Sequence, residues 1–229
     1  MTERVLIYTP YERFWHWAQA AGIMMLVLTG AVIHWPGSIG VLPFSLAVSI
    51  HNVLGFLLLI NAFLGLFYYV ATGAIRQYLP EPHDFVSLGA AQLMYYMRGI
   101  FRGDPHPLEK TSRRRLNPLQ QITYLVILNV LMPLQLITGL LMWSGQMQPG
   151  ILSWVGGLPL VAAVHTLGAW AFVTFTIMHI YLTTTGRTPL SNLIAMITGF
   201  ETLPKSRPEA ANQESTSQST PNSINEVVT

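Results

Sequence analysis

Long apolar runs without formal charge dominate the pattern of the chain. No Asp, Glu, Lys or Arg occurs between Arg13 and Arg76, and none occurs between Arg115 and Arg187. Each interval has room for two membrane-spanning helices of about 20 residues with a short turn between them. A water-soluble fold would place charges at its surface turns, so this pattern predicts four transmembrane helices.

Helix-breaking residues lie close to the ends of these four predicted helices. The helices are expected over residues 15–34, 49–72, 118–143 and 160–185, with proline or glycine near their ends. Pro133 lies inside the third helix, where a kink is tolerated in a membrane because neighbouring groups satisfy the freed carbonyl. No internal repeat is evident from the pattern.

The basic residues predict the orientation of the helices. All 12 Lys and Arg residues lie before the first helix, in the long loop 73–117 or after the fourth helix. Cytoplasmic segments of membrane proteins are enriched in Lys and Arg. We therefore expect both ends and the long loop on the cytoplasmic side of a bacterial inner membrane.

Shorter segments on that side complete the predicted fold. Apolar side chains recur at helical spacing over 88–101, which predicts an interfacial amphipathic helix, with a plain loop as the alternative. A second short interfacial helix is predicted over 191–200. Residues 203–229 are polar and typical of disorder. The prediction is an all-α integral membrane four-helix bundle, with a domain over 1–202 and a disordered cytoplasmic tail over 203–229.

Composition supports this interpretation and excludes several kinds of site. Hydrophobic residues make up 51% of the chain and charged residues 10%, whereas soluble domains contain about 25% charged residues. The chain has no Cys, which excludes disulfides, thiolate zinc sites, iron–sulfur clusters held by this chain and covalent haem attachment. The net charge of +2 gives no indication of nucleic-acid binding. The first apolar run is too long for a signal peptide and is expected to be a retained span.

Four histidines are paired by their expected depth in the membrane. His16 lies at the cytoplasmic end of the first helix, and His51 lies at the outer end of the second. On the fourth helix, His165 lies near the outer end and His179 near the cytoplasmic end. A b-type haem needs two axial imidazoles that face each other from rigid elements. We therefore predict two haem b groups, one between His16 and His179 and one between His51 and His165.

The spacing on the fourth helix supports two stacked haem sites. His165 and His179 are separated by 14 residues, which places them on one face of the helix and about 21 Å apart along its axis. Any one of the four histidines could instead be an interfacial anchor. Ionisable residues inside spans are rare and usually functional, so four of them paired by depth favour metal ligation.

The remaining histidines and one arginine have less specific interpretations. His34 shares a face with His16, but it adjoins Trp35 and Pro36 and is interpreted as an interfacial residue rather than a ligand. His83 and His106 are expected to be solvated in the cytoplasmic loop. Arg13 would lie near the cytoplasmic haem, where it could pair with a propionate or act as a positive-inside anchor.

The order of these motifs resembles a known family over residues 8–201. The sequence is similar to the dihaem cytochrome b subunits of respiratory formate dehydrogenases, nickel–iron hydrogenases and thiosulfate reductase-like complexes. The resemblance rests on Glu12-Arg13-Phe14-Trp15-His16-Trp17, His51, Asn117-Pro118-Leu119-Gln120 with Tyr124, Thr138-Gly139, His165, His179-Ile180-Tyr181 and Ala195-Met196-Ile197-Thr198-Gly199.

The resemblance implies the same haem pairing and a quinone pocket beside the cytoplasmic haem. In the formate dehydrogenase relatives, the start of the third helix near the quinone has Asn, a small residue and Gly. Here only Asn117 matches, because Pro118 and Leu119 depart from that pattern. The Asn117 amide could bond a quinone carbonyl, or the residue could be the helix N-cap before Pro118.

These observations favour an electron-transfer membrane subunit that is not catalytic alone. Its expected partners are the lipid membrane, a periplasmic iron–sulfur subunit with a catalytic subunit of hydrogenase or molybdenum oxidoreductase type, and menaquinone or ubiquinone. Electron flow fits either direction. One alternative is a self-contained dihaem superoxide:quinone oxidoreductase, although the expected outer loops lack the cationic side chains that would attract superoxide. A small transporter that uses intramembrane histidines is the other alternative.

Overall fold

Four long apolar helices form the body of the computed structural model, which describes residues 2–78, 85–104, 118–148 and 150–204. They are Pro10–His34, Phe44–Ala71, Pro118–Met147 and Gly157–Thr183, here called the first to fourth spans. Each is long and apolar enough to cross a membrane. The predicted all-α four-helix fold is confirmed, although all four spans extend beyond a predicted end.

The first span begins five residues before its predicted start because a capping box precedes the apolar run. The hydroxyl of Thr9 accepts a hydrogen bond from the backbone N–H of Glu12 at 3.3 Å. The Glu12 carboxylate in turn accepts from the backbone N–H of Thr9 at 2.8 Å. Pro10 fits at the first helical position, where no N–H is needed.

The third span contains one turn of π-helix. This turn, Ile127–Leu131, directly precedes the helical segment Met132–Met147, in which Pro133 occupies the first turn. Proline lacks an N–H and crowds the preceding turn, so a wider turn lets the helix continue past it. Within this region the Asn129 side chain donates to the carbonyl of Leu125 at 2.9 Å.

The spans associate as two close pairs. The first span packs along the second and the third packs along the fourth, with fewer contacts between the pairs. Ile127, Met132 and Phe172 form a buried cluster in the centre, against which Ile23 and Ala62 also pack. Many other large apolar side chains face outward, as expected for a lipid-facing surface.

Short elements gather at one end of the bundle, here called the basic side because the arginines of the described chain belong to it. A helix over Phe85–Met94 continues through a π-helical turn, Tyr95–Gly99, to Arg102 and packs against the start of the third span. A second short helix runs over Ser191–Thr198. The short helices predicted over 88–101 and 191–200 are therefore both present. The opposite end is called the uncharged side.

Two strands on the basic side were not predicted. Strand β1, Thr2–Leu6, pairs antiparallel with strand β2, Phe200–Pro204. Strand β2 reaches two residues past the predicted domain end at residue 202, and residues 205–229 of the predicted disordered tail lie outside the described residues. The pairing places the residues before the first span and those after the fourth span on the same side of the bundle.

Hydrogen bonds hold the second short helix against the start of the first span. The guanidinium of Arg13 donates to the carbonyl of Ile197 at 2.5 Å, and the indole of Trp17 donates to Met196 at 3.3 Å. The backbone N–H of Ile7 donates to the carbonyl of Gly199 at 2.8 Å. Gly199 has a φ of +88°, a left-handed conformation that favours glycine.

Candidate haem-binding sites

Two histidine rings face each other near the basic side. The rings of His16 on the first span and His179 on the fourth have centroids 6.1 Å apart, with an angle of 48° between their planes. The ring of His179 also stacks on Phe175, one turn earlier on its own helix, with centroids 5.5 Å apart. We call His16 and His179 the basic-side pair.

A second pair of rings faces each other nearer the uncharged side. The rings of His51 on the second span and His165 on the fourth have centroids 6.3 Å apart and an interplanar angle of 70°. We call His51 and His165 the uncharged-side pair. In each histidine pair, one ring comes from the first or second span and the other comes from the fourth span. Both histidine pairs therefore lie where the first two spans face the last two.

The spacing within each pair fits two imidazoles that bind one iron atom from opposite sides. With nitrogen–metal bonds of about 2 Å and a ring radius of about 1 Å, the two centroids would be about 6 Å apart. The observed separations are 6.1 and 6.3 Å. The chemistry of the donor set therefore fits haem at both levels. No group of three or more metal-binding side chains gathers in the described part of the chain.

The side chain midway between the pairs is a buried aromatic ring. Phe172 lies seven residues after His165 and seven before His179, which is close to two helical turns in each direction. It therefore lies on the same face of the fourth span as both histidines. The ring is buried in the central apolar cluster, so the region between the two levels is filled by protein rather than open to water.

A threonine hydroxyl fixes the orientation of His51. The Thr29 hydroxyl donates to the backbone carbonyls of Met25 and Leu26, at 2.8 and 3.2 Å. Its oxygen lies 2.9 Å from Nδ1 of His51. With the hydroxyl proton on one of these carbonyls, the oxygen can accept the Nδ1–H of His51. This tautomer leaves the lone pair of Nε2 available for a metal.

The same arrangement recurs at His165. The Thr138 hydroxyl donates to the carbonyls of Leu134 and Gln135, at 2.7 and 3.2 Å, and its oxygen lies 2.9 Å from Nδ1 of His165. On the other side of the ring, the Gln135 amide donates to Nε2 at 3.1 Å. Donation from the Gln135 amide requires the Nδ1–H tautomer of His165, in which the Thr138 oxygen accepts from the ring. Ligation through Nε2 would require Gln135 to rotate away.

A glycine follows each of these threonines and contacts the same ring. A Cβ at Gly30 would lie 3.5 Å from Cε1 of His51, and one at Gly139 would lie 3.3 Å from Cε1 of His165. The rings thus pack directly against helix backbone. The sequence signal was the pair Thr-Gly, present in the first and third spans, but its relation to the histidines was not recognised.

The other candidate residues occupy different surroundings. The exposed His34 packs edge-on against Trp35, with centroids 4.6 Å apart, and it faces no second histidine in the described chain. Arg13 donates a hydrogen bond to the end of the second short helix, as described above. Asn117, His83 and His106 lie outside the described residues.

Comparison with known proteins identifies the family. The sequence model of the prokaryotic cytochrome b561 family matches residues 7–199. The chain belongs to the prokaryotic cytochrome b561 family. It is therefore a multi-pass membrane protein that binds b-type haem and transfers electrons across the membrane.

Two curated relatives agree with this assignment. The chain is 33% identical over 205 residues to the protein of Escherichia coli (strain K12) named "Putative cytochrome YdhU", covering 86% of this chain and 75% of the relative. It is 24% identical over 205 residues to the Azospira oryzae protein named "Putative protein-methionine-sulfoxide reductase subunit YedZ1", covering 84% and 96%. The predicted resemblance to cytochrome b membrane subunits is confirmed.

Proposed function

We propose that this cytochrome binds two b haems and transfers electrons between a redox partner on the uncharged side and quinone on the basic side. The proposal is supported by the basic-side pair and the uncharged-side pair of histidines. Their ring centroids are 6.1 and 6.3 Å apart, a separation that suits one iron atom between the two rings of each pair. His16 and His179 would hold one haem, and His51 and His165 the other. When bound, haem supplies a one-electron couple between ferric and ferrous iron.

The protein contributes ligands, spacing and a dry interior. His165 and His179 lie about 21 Å apart along one helix, so two haems between the pairs would together span most of a hydrocarbon layer of about 30 Å. The buried Phe172 and its neighbours exclude water from the space between the two levels. The polar side chains described in this region, Gln19 and Asn61, are hydrogen-bonded to each other at 2.7 Å, and Gln19 also contacts the sulfur of Met132.

A quinone is the partner we propose on the basic side. A quinone takes up two electrons and two protons, so its site must combine access to a haem with access to water. The basic-side pair meets the first requirement. Around its level lie the rings of Trp15 and Tyr69, in edge-to-face contact with centroids 5.8 Å apart. Asn117 remains a candidate ligand of the quinone, and Arg13 a candidate partner of a propionate.

The proposed partner on the opposite side is a periplasmic iron–sulfur subunit of a larger oxidoreductase. The uncharged side exposes Val41 and Trp154, whose side chains are 77% and 91% exposed. The positive-inside rule places this side outside the cytoplasm and both chain ends inside. In that orientation, the uncharged-side pair is the one nearer an external electron donor or acceptor.

Haem counting in histidine variants tests the ligand assignment. We expect two haems per chain by pyridine haemochrome assay, and about one in His51→Ala, His165→Ala, His16→Ala or His179→Ala. The matched control is His34→Ala, which removes a histidine from the same span as His16 and should keep both haems. Two haems retained in any of the four ligand variants would contradict the assignment of that residue.

A second experiment tests the quinone. Menaquinol or ubiquinol analogues added to membranes that contain the protein should reduce its haem, and His16→Ala should slow this reduction more than His51→Ala does. Reduction that depends only on the uncharged-side pair would place the quinone on the other side.

A further inference from the structure

The two histidine pairs differ in what their Nδ1 atoms contact. On the uncharged side, Nδ1 of each ring lies 2.9 Å from a threonine hydroxyl oxygen. On the basic side, Nδ1 of His16 is buried and has no hydrogen-bond partner in the described part of the chain. The second ring of that pair, His179, stacks on Phe175. His16 therefore lacks the Nδ1 contact that both rings of the uncharged-side pair make.

A hydrogen bond from Nδ1–H makes an imidazole a stronger donor through Nε2. Stronger donation stabilises ferric iron more than ferrous iron, because the ferric ion carries the larger charge. The midpoint potential of a haem between two such rings is lowered as a result. Thr29 acts on one ligand and Thr138 on the other, so both effects would fall on the same haem.

We propose that Thr29 and Thr138 are positioning residues that fix the Nδ1–H tautomers of His51 and His165 and lower the potential of the uncharged-side haem. The inference rests on the proposed ligation by these histidines. The hydrogen bonds favour electron transfer from the uncharged-side haem to the basic-side haem. This is the direction required to deliver electrons from an external donor to a quinone on the basic side.

The geometry of the threonines makes this effect specific. Each hydroxyl also lies within hydrogen-bond distance of two carbonyls of its own helix, so with its proton on a carbonyl the oxygen can accept from the ring. The adjoining Gly30 and Gly139 let the rings lie against helix backbone, which limits ring rotation. The hydrogen bond and the packing therefore select one orientation of each ring.

Redox titration of threonine variants tests the proposal. Thr29→Val and Thr138→Val keep the side-chain shape and remove the hydroxyl. A neutral hydrogen bond of this kind should change the ferric-to-ferrous ratio at a fixed ambient potential by about three- to tenfold. At about 59 mV per factor of ten, the potential of the uncharged-side haem should rise by about 28 to 59 mV in each variant. The other haem should be unchanged.

Two further variants separate the hydrogen bond from general packing. Serine restores the hydroxyl, so Thr29→Ser and Thr138→Ser should return the potential towards the parent value. Thr174→Val is the matched control, because the Thr174 hydroxyl makes the same backbone bond, to Trp170 at 2.9 Å, without a histidine partner. The electron paramagnetic resonance of the ferric haem should also change in the valine variants, since its largest g value depends on the angle between ligand planes.

The possible outcomes distinguish this inference from the proposed ligation. Two bound haems with unchanged potentials in both valine variants would refute the role of the threonines and leave the ligation intact. Loss of the uncharged-side haem that serine restores would support the role, whereas a loss that serine does not restore would overturn it. If His51→Ala or His165→Ala keeps two haems, the ligation itself is wrong.

Discussion

Replacing Gly65 with alanine should destabilise the contact between the first two spans. The indole of Trp15 lies directly against Gly65, so an alanine Cβ would overlap the Nε1, Cε2 and Cζ2 atoms of the ring. The same indole N–H donates to the carbonyl of Asn61 at 2.8 Å. The added methyl group would therefore displace the ring and break or weaken this hydrogen bond.

The size of the effect follows from these two contacts. Overpacking costs about 1–3 kcal/mol, and a lost hydrogen bond costs about 1 kcal/mol. Exchanging glycine for alanine inside a helix also contributes about 0.5–1 kcal/mol of stabilisation. Gly55→Ala is the matched control for this gain, because Gly55 is on the same span and has nothing within 4 Å of its Cβ position. The free energy of unfolding of Gly65→Ala should thus lie about 2–4 kcal/mol below that of Gly55→Ala.

Thermal unfolding in detergent and haem content measure this difference. In a chain of this size, 1 kcal/mol corresponds to about 2–4 °C, so Gly65→Ala should unfold about 4–16 °C below Gly55→Ala. Trp15 directly precedes His16, and its displacement should reduce the occupancy of the basic-side haem before that of the other. Equal unfolding temperatures and equal haem content in the two variants would refute the reasoning.

Two other contacts give shorter predictions. The Asn61 amide donates to the side-chain oxygen of Gln19 at 2.7 Å, and Asn61→Leu should lower the free energy of unfolding by about 0.6–2 kcal/mol; a double-mutant cycle with Gln19→Leu that shows no coupling would contradict this. Arg13→Gln should speed proteolysis of the second short helix, because the guanidinium bond to Ile197 is lost, while both haems remain. Loss of the basic-side haem in this variant would favour the propionate role instead.

The sequence alone predicted the fold because membrane insertion leaves a strong pattern. Charge-free runs of sufficient length can cross a bilayer only as helices here, since every backbone group must be bonded within the segment. The sequence also predicted that His16 faces His179 and that His51 faces His165. Helical periodicity and depth in the membrane restrict which residues on different helices can meet.

Other features depend on contacts that no local pattern specifies. Thr29 meets His51 only because the first and second spans pack at one particular rotation, and Trp15 meets Gly65 for the same reason. The early start of the first span depends on the capping residues Thr9 and Glu12, which lie before the apolar run on which the prediction was based. Strand β1 was missed because five residues of mixed polarity become a strand only when a distant partner is present.

The pairing of the two strands also has a consequence for biosynthesis. Thr2 lies opposite Pro204 in the sheet, so the ribosome must complete all four spans before this contact can exist. Among the elements described, it is the last that can form, and it forms only if an even number of spans has been inserted. A chain that fails to integrate one helix would keep β1 and β2 on opposite faces of the bilayer. The small sheet can therefore form only when β1 and β2 lie on the same side of the bilayer, and the accessibility of β1 to a protease or an antibody would report this.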